Sequence, residues 1–389
     1  MKIAMVSLQT NPLTALTDPD AAGPRLHVAK LAGALRRQGH EVTAYTRRTD
    51  RRLPQRVRVA DGFAVVHLPA GPEQPLEEDV VVAHIGEFVR RLQGCWSGAA
   101  APDVVHAHHW TSGLAAVLAT RSSGIPVVQS FHAPVGGDSA GPERLVGRTA
   151  AAVIATSGHE VDELVRLGLR RSAITTVPWG VDADVFTPTG PAAPRTGMCR
   201  VLAVSELGPD AGVDDLIGAL PAVAWTELVV AGGADGPELR RLRALAVKLG
   251  VADRVTFRGP VPHAELPALY RSADVVACPQ RREPFGVAAL EAMACGVPVV
   301  ASAVGGLAES VVHGATGLLV PPREPGLLAR ALRSLLRDDV RRQELSFAAQ
   351  DRARVRYAWE RVALETATTY ERVMSASGPV VTRWQKTPV

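Results

Sequence analysis

Two glutamates eight residues apart, Glu283 and Glu291, flank a Pro-Phe-Gly turn in the stretch REPFGVAALEAMACG. Glu283 stands just before the turn, whereas Glu291 lies inside a helix that we predict over residues 286–294. A carboxylate suits the neighbouring hydroxyls of a ribose or a hexose, and the positive end of the helix would bind an anion such as phosphate. The alternative is two solvated glutamates on an amphipathic helix. The turn, the Cys-Gly stop and the following VPVVAS strand favour a binding site.

Alternating strand and helix patterns extend along the chain on both sides of this stretch. Short apolar runs such as KIAMVSL, DVVHAHH and PVVQSFHA are typical of buried parallel strands, and segments with helical periodicity separate them. A second series contains RVLAVSEL, ELVVAGG and DVVACPQ. The sequence therefore predicts an α/β protein with two Rossmann-like doubly wound domains that face each other across a cleft. Such sheets bind ligands at the carboxyl ends of their strands, so we expect the site in the cleft.

The domain boundaries are predicted where the periodic pattern stops. We assign residues 1–186 to the N-terminal domain and residues 200–356 to the C-terminal domain. The segment 187–199 is rich in Pro, Gly and Thr and is typical of a linker. A last helix is expected over residues 357–376, returning to the N-terminal domain, and the polar residues 377–389 are expected to form a loose tail.

Composition and charge argue against several classes of partner. The 389 residues carry a net charge of +4, and the basic residues are scattered, which argues against nucleic-acid binding. No apolar run reaches about 18 residues, so we expect no membrane insertion. The four cysteines form no C-x-x-C pair and no signal peptide is recognisable, which indicates a cytoplasmic protein with reduced thiols. A homodimer is compatible with the sequence.

Several stretches together carry a resemblance to a known family. They are AAGPRLHVAKLAGALRRQGHEVTAYTRR, DVVHAHHWTSGLAA, VVQSFHA, VPWGVD, ADVVACPQRREPFG and AVGGLAESVVHGATGLLVPP. The chain up to about residue 376 resembles the family-4 retaining glycosyltransferases of GT-B fold, above all the bacterial branch that includes the N-acetylglucosaminyltransferase of the mycothiol pathway. The resemblance implies transfer of a sugar from a nucleotide-diphosphate donor to a hydroxyl, amine or thiol of a small-molecule acceptor. It implies no metal and no cofactor, with the acceptor bound by the N-terminal domain and the donor by the C-terminal domain.

The resemblance also implies roles for individual side chains. Glu291 matches the glutamate that holds the nucleotide ribose, and Glu283 matches the one that contacts donor-sugar hydroxyls near the reacting carbon. His132, in SFHAP, matches the histidine that points at the donor sugar, and a structural imidazole is the alternative. Other donor-binding positions act through small size or through the backbone. They are Ala22 and Gly23 in the first loop, Val261 beside the base, and Phe285, Gly286 and Val287 at the helix start.

Two positions depart from the family pattern. Where the family has an arginine and a lysine that clamp the diphosphate, the stretch VSELGPDAGVDDLI has Glu206 and Ala211. Because a carboxylate beside a diphosphate is repelled, either another cation compensates or donor binding is poor. Arg281 and Arg282 are the candidate donor-binding cations, and exposed loop arginines are the other interpretation. The loss also motivates a second hypothesis, a catalytically weak or silent homologue that binds a sugar nucleotide or a partner.

Two further stretches bear on metal binding and on the acceptor. His106, His108 and His109 have the residue type of metal ligands, but the resemblance implies a strand-end packing motif, and no Cys, Asp or Glu cluster accompanies them. We therefore predict no metal site. The loop APVGGDSAGPERL is shorter and less basic than in the branch that accepts an inositol phosphate. This difference predicts an acceptor without a phosphate, or one held differently, and a specialised natural-product pathway such as antibiotic assembly.

Overall fold

The computed structural model describes residues 1–13, 24–132 and 136–377. The predicted contacts of Ala22 and Gly23 lie outside the described residues, as do residues 378–389 of the predicted tail. Within the described ranges the chain forms two separate sheets.

The first sheet has eight strands in the order β3-β4-β2-β1-β5-β6-β7-β8. All of its neighbouring pairs are parallel except β3 with β4, which are antiparallel at one edge. Strands β4, β5, β6 and β7 are buried from end to end, as expected for a parallel sheet covered on both faces. The strands are β1 (Lys2–Val6), β2 (Glu41–Arg47), β3 (Arg56–Arg58), β4 (Ala64–Leu68), β5 (Val104–His108), β6 (Val127–Ser130), β7 (Ala152–Ala155) and β8 (Ile174–Thr176).

The second sheet has six parallel strands in the order β11-β10-β9-β12-β13-β14. In both sheets the order reverses beside the first strand, and the crevice at such a point is where doubly wound sheets bind ligands. The prediction of two parallel-sheet Rossmann-like domains is confirmed. The strands are β9 (Cys199–Val204), β10 (Thr226–Ala231), β11 (Val255–Gly259), β12 (Val275–Cys278), β13 (Val299–Ser302) and β14 (Gly317–Val320).

Helices connect the strands and cover both faces of each sheet. None of those in the described part of the chain is both long and apolar enough to cross a bilayer. They are α1 (Pro24–Arg37), α2 (Glu78–Ala83), α3 (Ile85–Cys95), α4 (Trp110–Thr120), α5 (Ala140–Thr149), α6 (Gly158–Arg166), α7 (Val213–Ala219), α8 (Pro237–Lys248), α9 (Leu266–Arg271), α10 (Val287–Ala294), α11 (Gly305–Ser310), α12 (Pro325–Leu336), α13 (Asp339–Tyr357) and α14 (Trp359–Ser377).

The short helix α10 carries the second glutamate of the pair. Its N-cap residue is Gly286, whose φ of 72° lies in the left-handed region that favours glycine. The helix is apolar around most of its circumference and is buried within the core of the second sheet. A rigid, buried helix therefore holds Glu291, and a tight turn sets the position of Glu283 just before it.

The last two helices divide between the two domains. Helix α13 packs against α10 in the core of the second sheet, through Ala349 and Ala353. Helix α14 packs against α1 and the first sheet, with Tyr370 fully buried there. The chain crosses over beside Val181, whose amide donates to the carbonyl of Tyr357 over 2.7 Å.

Candidate active site

Two cavities meet at the turn that precedes α10. Cavity A, of about 530 Å³, lies on the second domain, between the loop that follows β9 and the helix carrying Glu291. Cavity B, of about 410 Å³, lies between the first turn of α6 in the first domain and the 281–285 turn in the second. Arg282, Glu283 and Phe285 line both cavities. The turn is therefore the boundary at which ligands of the two cavities would meet.

Glu283 caps the beginning of α10. Its Oε1 accepts hydrogen bonds from the amides of Phe285 and Gly286, over 3.1 and 3.0 Å. The next amide, that of Val287, has no hydrogen-bond partner among the described residues. Of the three amides predicted to face a donor, two are thus occupied by the carboxylate itself. An anion that approaches this helix would meet the amide of Val287 first.

Glu291 is held by two residues that the sequence reasoning missed. Its side chain is buried, and Oε2 accepts a hydrogen bond from the hydroxyl of Tyr270 over 2.9 Å. Oε1 lies 3.2 Å from Nε2 of His263. Burial raises the pKa of Tyr270 well above its usual range, so this hydroxyl stays a donor. His263 lies two residues beyond Val261, in a loop for which the sequence indicated only backbone contacts with the base. Its position beside that loop was the one sequence feature that could have pointed to a contact with the nucleotide site.

The two candidate cations differ in their surroundings. The Arg281 guanidinium donates to Asp214 over 2.9 Å and to Asp215 over 3.1 Å, and also to the carbonyl of Pro209. The exposed Arg282 has neither an ion pair nor a hydrogen bond to the described residues and lines both cavities. The structure therefore engages Arg281 inside the second domain and leaves Arg282 free to meet a ligand.

Most of the predicted donor-binding positions of the second domain surround cavity A. Glu206 is exposed at its wall, and Ala211 is buried where the family has a lysine. No described cation pairs with the Glu206 side chain, so its charge faces the cavity uncompensated. The lining contains the predicted positions Glu206, Ala211, Val261, Arg282, Glu283, Phe285, Val287 and Glu291.

His132 lies away from this group. It follows β6 with a left-handed φ of 59°, and its Nε2 is 2.8 Å from Nδ1 of His108. It lines neither cavity A nor cavity B. The indole of Trp179 contacts the imidazole of His132, at 5.8 Å between ring centroids, and stacks on Phe285. In this conformation His132 is linked to the Glu283 turn through Trp179, a residue that the sequence reasoning quoted in VPWGVD but did not single out.

Three buried histidines, His27, His108 and His132, each have a ring nitrogen within 4.8 Å of the others. Burial lowers the pKa of each, that of His132 to about 3, so all three are neutral at pH 7 as metal ligands must be. Metal-bound histidines usually donate their other nitrogen to an acceptor. Here His27 Nδ1, His108 Nε2 and His132 Nδ1 are buried without a partner among the described residues. If an ion bound the unpartnered nitrogens of both His108 and His132, their other nitrogens would both carry a proton, whereas these two nitrogens lie 2.8 Å apart and only one of them can donate to the other.

The other two histidines of the VVHAHHW stretch lie outside this group. His106 contacts the Tyr370 hydroxyl through Nδ1, over 2.7 Å, and the Ser130 hydroxyl through Nε2, over 3.0 Å. His109 lies 3.2 Å from the Thr111 hydroxyl. Both side chains thus hold neighbouring elements of the first domain together.

Two parallel Rossmann-like domains with a cleft at the carboxyl ends of their strands define the GT-B class of fold. The sequence profile described as glycosyl transferases group 1 matches residues 194–352, and the profile of the glycosyl transferase 4-like domain matches residues 22–180. A D-inositol 3-phosphate glycosyltransferase of Xylanimonas cellulosilytica is 37% identical over 95% of this chain and 96% of its own length. A second, from Catenulispora acidiphila, is 34% identical over 90% and 91%. The chain belongs to the group 1 glycosyltransferases of GT-B fold.

Solved structures share the whole architecture. Sucrose-phosphate synthase from Thermosynechococcus elongatus superposes with a TM-score of 0.83 at 28% identity, over 97% of this chain and 100% of the other. The Anabaena HepE protein in complex with UDP-glucose superposes with a TM-score of 0.73 at 22% identity, over 96% and 100%. The second likeness is one of fold alone. The resemblance inferred from the sequence motifs is thereby confirmed.

Proposed function

We propose that this protein transfers a sugar from a nucleotide-diphosphate donor to a small-molecule acceptor, with retention of the anomeric configuration and without a metal ion. The observation that carries the proposal is the position of Glu283 at the boundary of two cavities. Its Oε1 is 3.1 and 3.0 Å from two amides at the start of a helix, and its other oxygen has no hydrogen-bond partner among the described residues, so it can accept from a sugar hydroxyl. A carboxylate placed this way can orient a hexose beside an anion site.

The donor is proposed to occupy cavity A. Glu291, oriented by Tyr270, would accept from the two ribose hydroxyls, and the loop at Val261 would face the base. The diphosphate would meet the free amide of Val287 and the guanidinium of Arg282. This arrangement supports Arg282, rather than the paired Arg281, as the substitute for the missing family cations. That HepE was solved with UDP-glucose supports a sugar-nucleotide donor for the fold.

The proposed reaction exchanges one bond at the anomeric carbon for another. The acceptor oxygen forms the new bond to this carbon, the bond from the carbon to the diphosphate oxygen breaks, and the electron pair leaves with the diphosphate. The acceptor's hydroxyl proton passes to the departing phosphate oxygen on the same face, which accounts for retention without a protein nucleophile. Charge grows on the diphosphate as the bond breaks, so the amide of Val287 and the charge of Arg282 would stabilise the transition state.

The acceptor is proposed to approach from the first domain. The two relatives described above are named for D-inositol 3-phosphate, and sucrose-phosphate synthase is a structural neighbour at 28% identity. Their names do not support the predicted natural-product pathway, which stays a prediction, as do the cytoplasmic location and the homodimer. The role predicted for His132 also stays a prediction, and it requires Trp179 to move aside.

A second candidate function is favoured by one observation. Glu206 faces cavity A without an ion pair to any described cation, and Ala211 stands where the family has a lysine. A homologue that binds a sugar nucleotide without turning it over would have this appearance. Turnover separates the two candidates, because only the transferase cleaves its donor.

Calorimetry with UDP, GDP, ADP and dTDP first identifies the base, and mass spectrometry then follows hydrolysis and transfer from the corresponding sugar nucleotides. Glu283→Gln should lower turnover by about 100-fold, as loss of one transition-state contact commonly does, while the affinity for the free nucleotide is unchanged. Glu344→Gln, an exposed glutamate of α13, is the matched control. More than a tenth of wild-type turnover in Glu283→Gln would contradict the role of Glu283. Nucleotide binding without any donor cleavage would favour the silent homologue.

A further inference from the structure

Cavity B is built from both domains and is separate from the proposed donor cavity. The first two turns of α6 supply Glu160 and Glu163, and the opposite wall is the 281–285 turn of the second domain. Its volume, about 410 Å³, lies within the range of sites for small molecules. Glu283 is common to both cavities, so a molecule in cavity B would lie beside the sugar of a donor in cavity A.

Glu160 is a buried carboxylate with one oxygen unused. Its side chain is 6% exposed, and Oε2 accepts from the amide and the hydroxyl of Thr156, over 2.7 and 2.6 Å. Oε1 is buried and has no hydrogen-bond partner among the described residues. A buried acceptor left without a donor is costly, and a bound ligand that donates a hydrogen bond removes that cost.

The other charges facing cavity B are mostly negative. Glu163, one turn further along α6, lies 3.5 Å from the half-exposed His159. Glu283 also lines cavity B, and only its Oε1 accepts from the amides at the start of α10. The Arg281 guanidinium is already shared by two aspartates, which leaves Arg282 as the cation without a described partner at this wall. If Arg282 meets the donor diphosphate, the only arginine left among the described lining of cavity B is Arg281, which is already paired with Asp214 and Asp215.

We propose that cavity B binds the acceptor, and that Glu160, Glu163 and Glu283 select an acceptor carrying at least one protonated amine. An ammonium group supplies three donors and a positive charge, which matches both the unused Oε1 and the excess of carboxylates. A phosphorylated acceptor would instead be repelled by them. That the bound molecule is the acceptor rests on the proposed function. The binding of cations in cavity B can be tested without a donor.

The test is calorimetry of the full chain with three cyclitol probes: the diaminocyclitol 2-deoxystreptamine, its di-N-acetyl derivative, and myo-inositol 3-phosphate. The diamine should bind at least about tenfold more tightly than the acetylated compound, since a hydrogen bond to a charged group contributes about 1.5–3 kcal/mol. Glu163→Gln should weaken binding of the diamine by about tenfold. Asp162→Asn, an exposed neighbour on α6 that does not line the cavity, should leave the affinity unchanged.

Equal affinity for the diamine and its acetylated derivative would overturn the proposal, as would tighter binding of the inositol phosphate or no binding of the diamine. Equal effects of Glu163→Gln and Asp162→Asn would also overturn it, because they would indicate a non-specific charge effect. Glu160→Gln serves as a second variant, and circular dichroism checks its folding because Glu160 also binds Thr156. A parallel titration with UDP, GDP, ADP and dTDP keeps the two proposals apart. Binding of a nucleotide without binding of the amine would contradict this inference alone. Binding of the amine without binding of any nucleotide would contradict the proposed function.

Discussion

The indole of Trp179 lies parallel to the phenyl ring of Phe285, with ring centroids 3.9 Å apart and 4° between the planes. Trp179 belongs to the segment that follows the first sheet, and Phe285 belongs to the turn before α10 in the second domain. The indole also approaches His27, at 4.9 Å between ring centroids. The stack thus ties the first domain to the turn that carries Glu283.

Trp179→Ala should lower the free energy of unfolding by about 3 kcal/mol, because truncating a buried aromatic side chain leaves a cavity. Trp179→Phe should recover much of this loss, since it keeps a ring against Phe285. Trp225→Ala, at a tryptophan that is 80% exposed, should change stability by less than about 0.5 kcal/mol. Urea unfolding followed by circular dichroism measures all three. Equal losses in Trp179→Ala and Trp225→Ala would contradict the assigned packing.

Reversing the charge at position 206 should restore nucleotide affinity. Glu206→Arg is expected to tighten binding of a nucleoside diphosphate by more than about tenfold, since unit charges about 4 Å apart interact by about 4 kcal/mol near a protein surface. Glu206→Gln should give an intermediate value because it only removes the repulsion. Calorimetry at 0.05 and 0.5 M salt measures the effect, which should shrink at high salt. Unchanged affinity in Glu206→Arg would show that the phosphates lie elsewhere.

The two adjacent arginines should behave differently when they are removed. Arg282→Ala is expected to weaken binding of a nucleoside diphosphate by about tenfold and to leave binding of the matching nucleoside unaffected, because it removes a phosphate contact only. Arg281→Ala should instead lower stability, since Asp214 and Asp215 lose their shared cation. Calorimetry and thermal unfolding of both variants separate the effects. If Arg281→Ala weakened nucleotide binding and Arg282→Ala only lowered stability, Arg281 would be the cation that binds the diphosphate.

Removing the Tyr270 hydroxyl should weaken ribose binding by leaving Glu291 without its orienting donor. We expect Tyr270→Phe to raise the nucleoside Kd by about tenfold, given about 1.5 kcal/mol for a hydrogen bond to a charged group. Tyr370→Phe is the matched control, because Tyr370 is equally buried but bonds His106 in the other domain. Titration with the nucleoside and with the free diphosphate checks the assignment. Similar losses in both variants would indicate a general loss of stability.

Stability should fall as the pH is lowered through the ordinary pKa of histidine. Burial lowers the pKa of His106 and of His132 to about 3 in the folded protein. Between pH 6.5 and pH 3 the unfolded chain therefore binds protons that the folded protein does not, so the stability contributed by these histidines is complete above about pH 6.5 and is lost as the pH falls toward 3. For each such histidine, the free energy of unfolding at pH 5.5 should be about 1.4 kcal/mol lower than at pH 8.

His106→Gln should reduce this pH dependence, and His159→Gln, whose side chain is 51% exposed, should not. Thermal unfolding at pH 7.5 and 5.5 provides the comparison. A pH dependence identical in His106→Gln and in the parent protein would contradict the burial argument. The variant remains informative even if it is less stable overall, because the measured quantity is the difference between the two pH values.

The candidate site shows where prediction from the sequence stopped. Glu283, Glu291 and the helix start between them were predictable, because a Pro-Phe-Gly turn, a helical pattern and a Cys-Gly stop are all local features. Tyr270 was not, since it reaches Glu291 from another helix. The pairing of Arg281 with Asp214 and Asp215 likewise joins segments more than 60 residues apart.

By itself, the sequence determined the alternation of strands and helices, the two parallel sheets and the family, since these follow from local periodicity and short motifs. Tertiary structure alone decided which arginine is free, which residues orient Glu291, and that Trp179 links His132 to the Glu283 turn. The reason is physical. Local patterns specify which face of an element is buried, whereas the pairing of charges and rings from distant segments depends on how the elements pack in space.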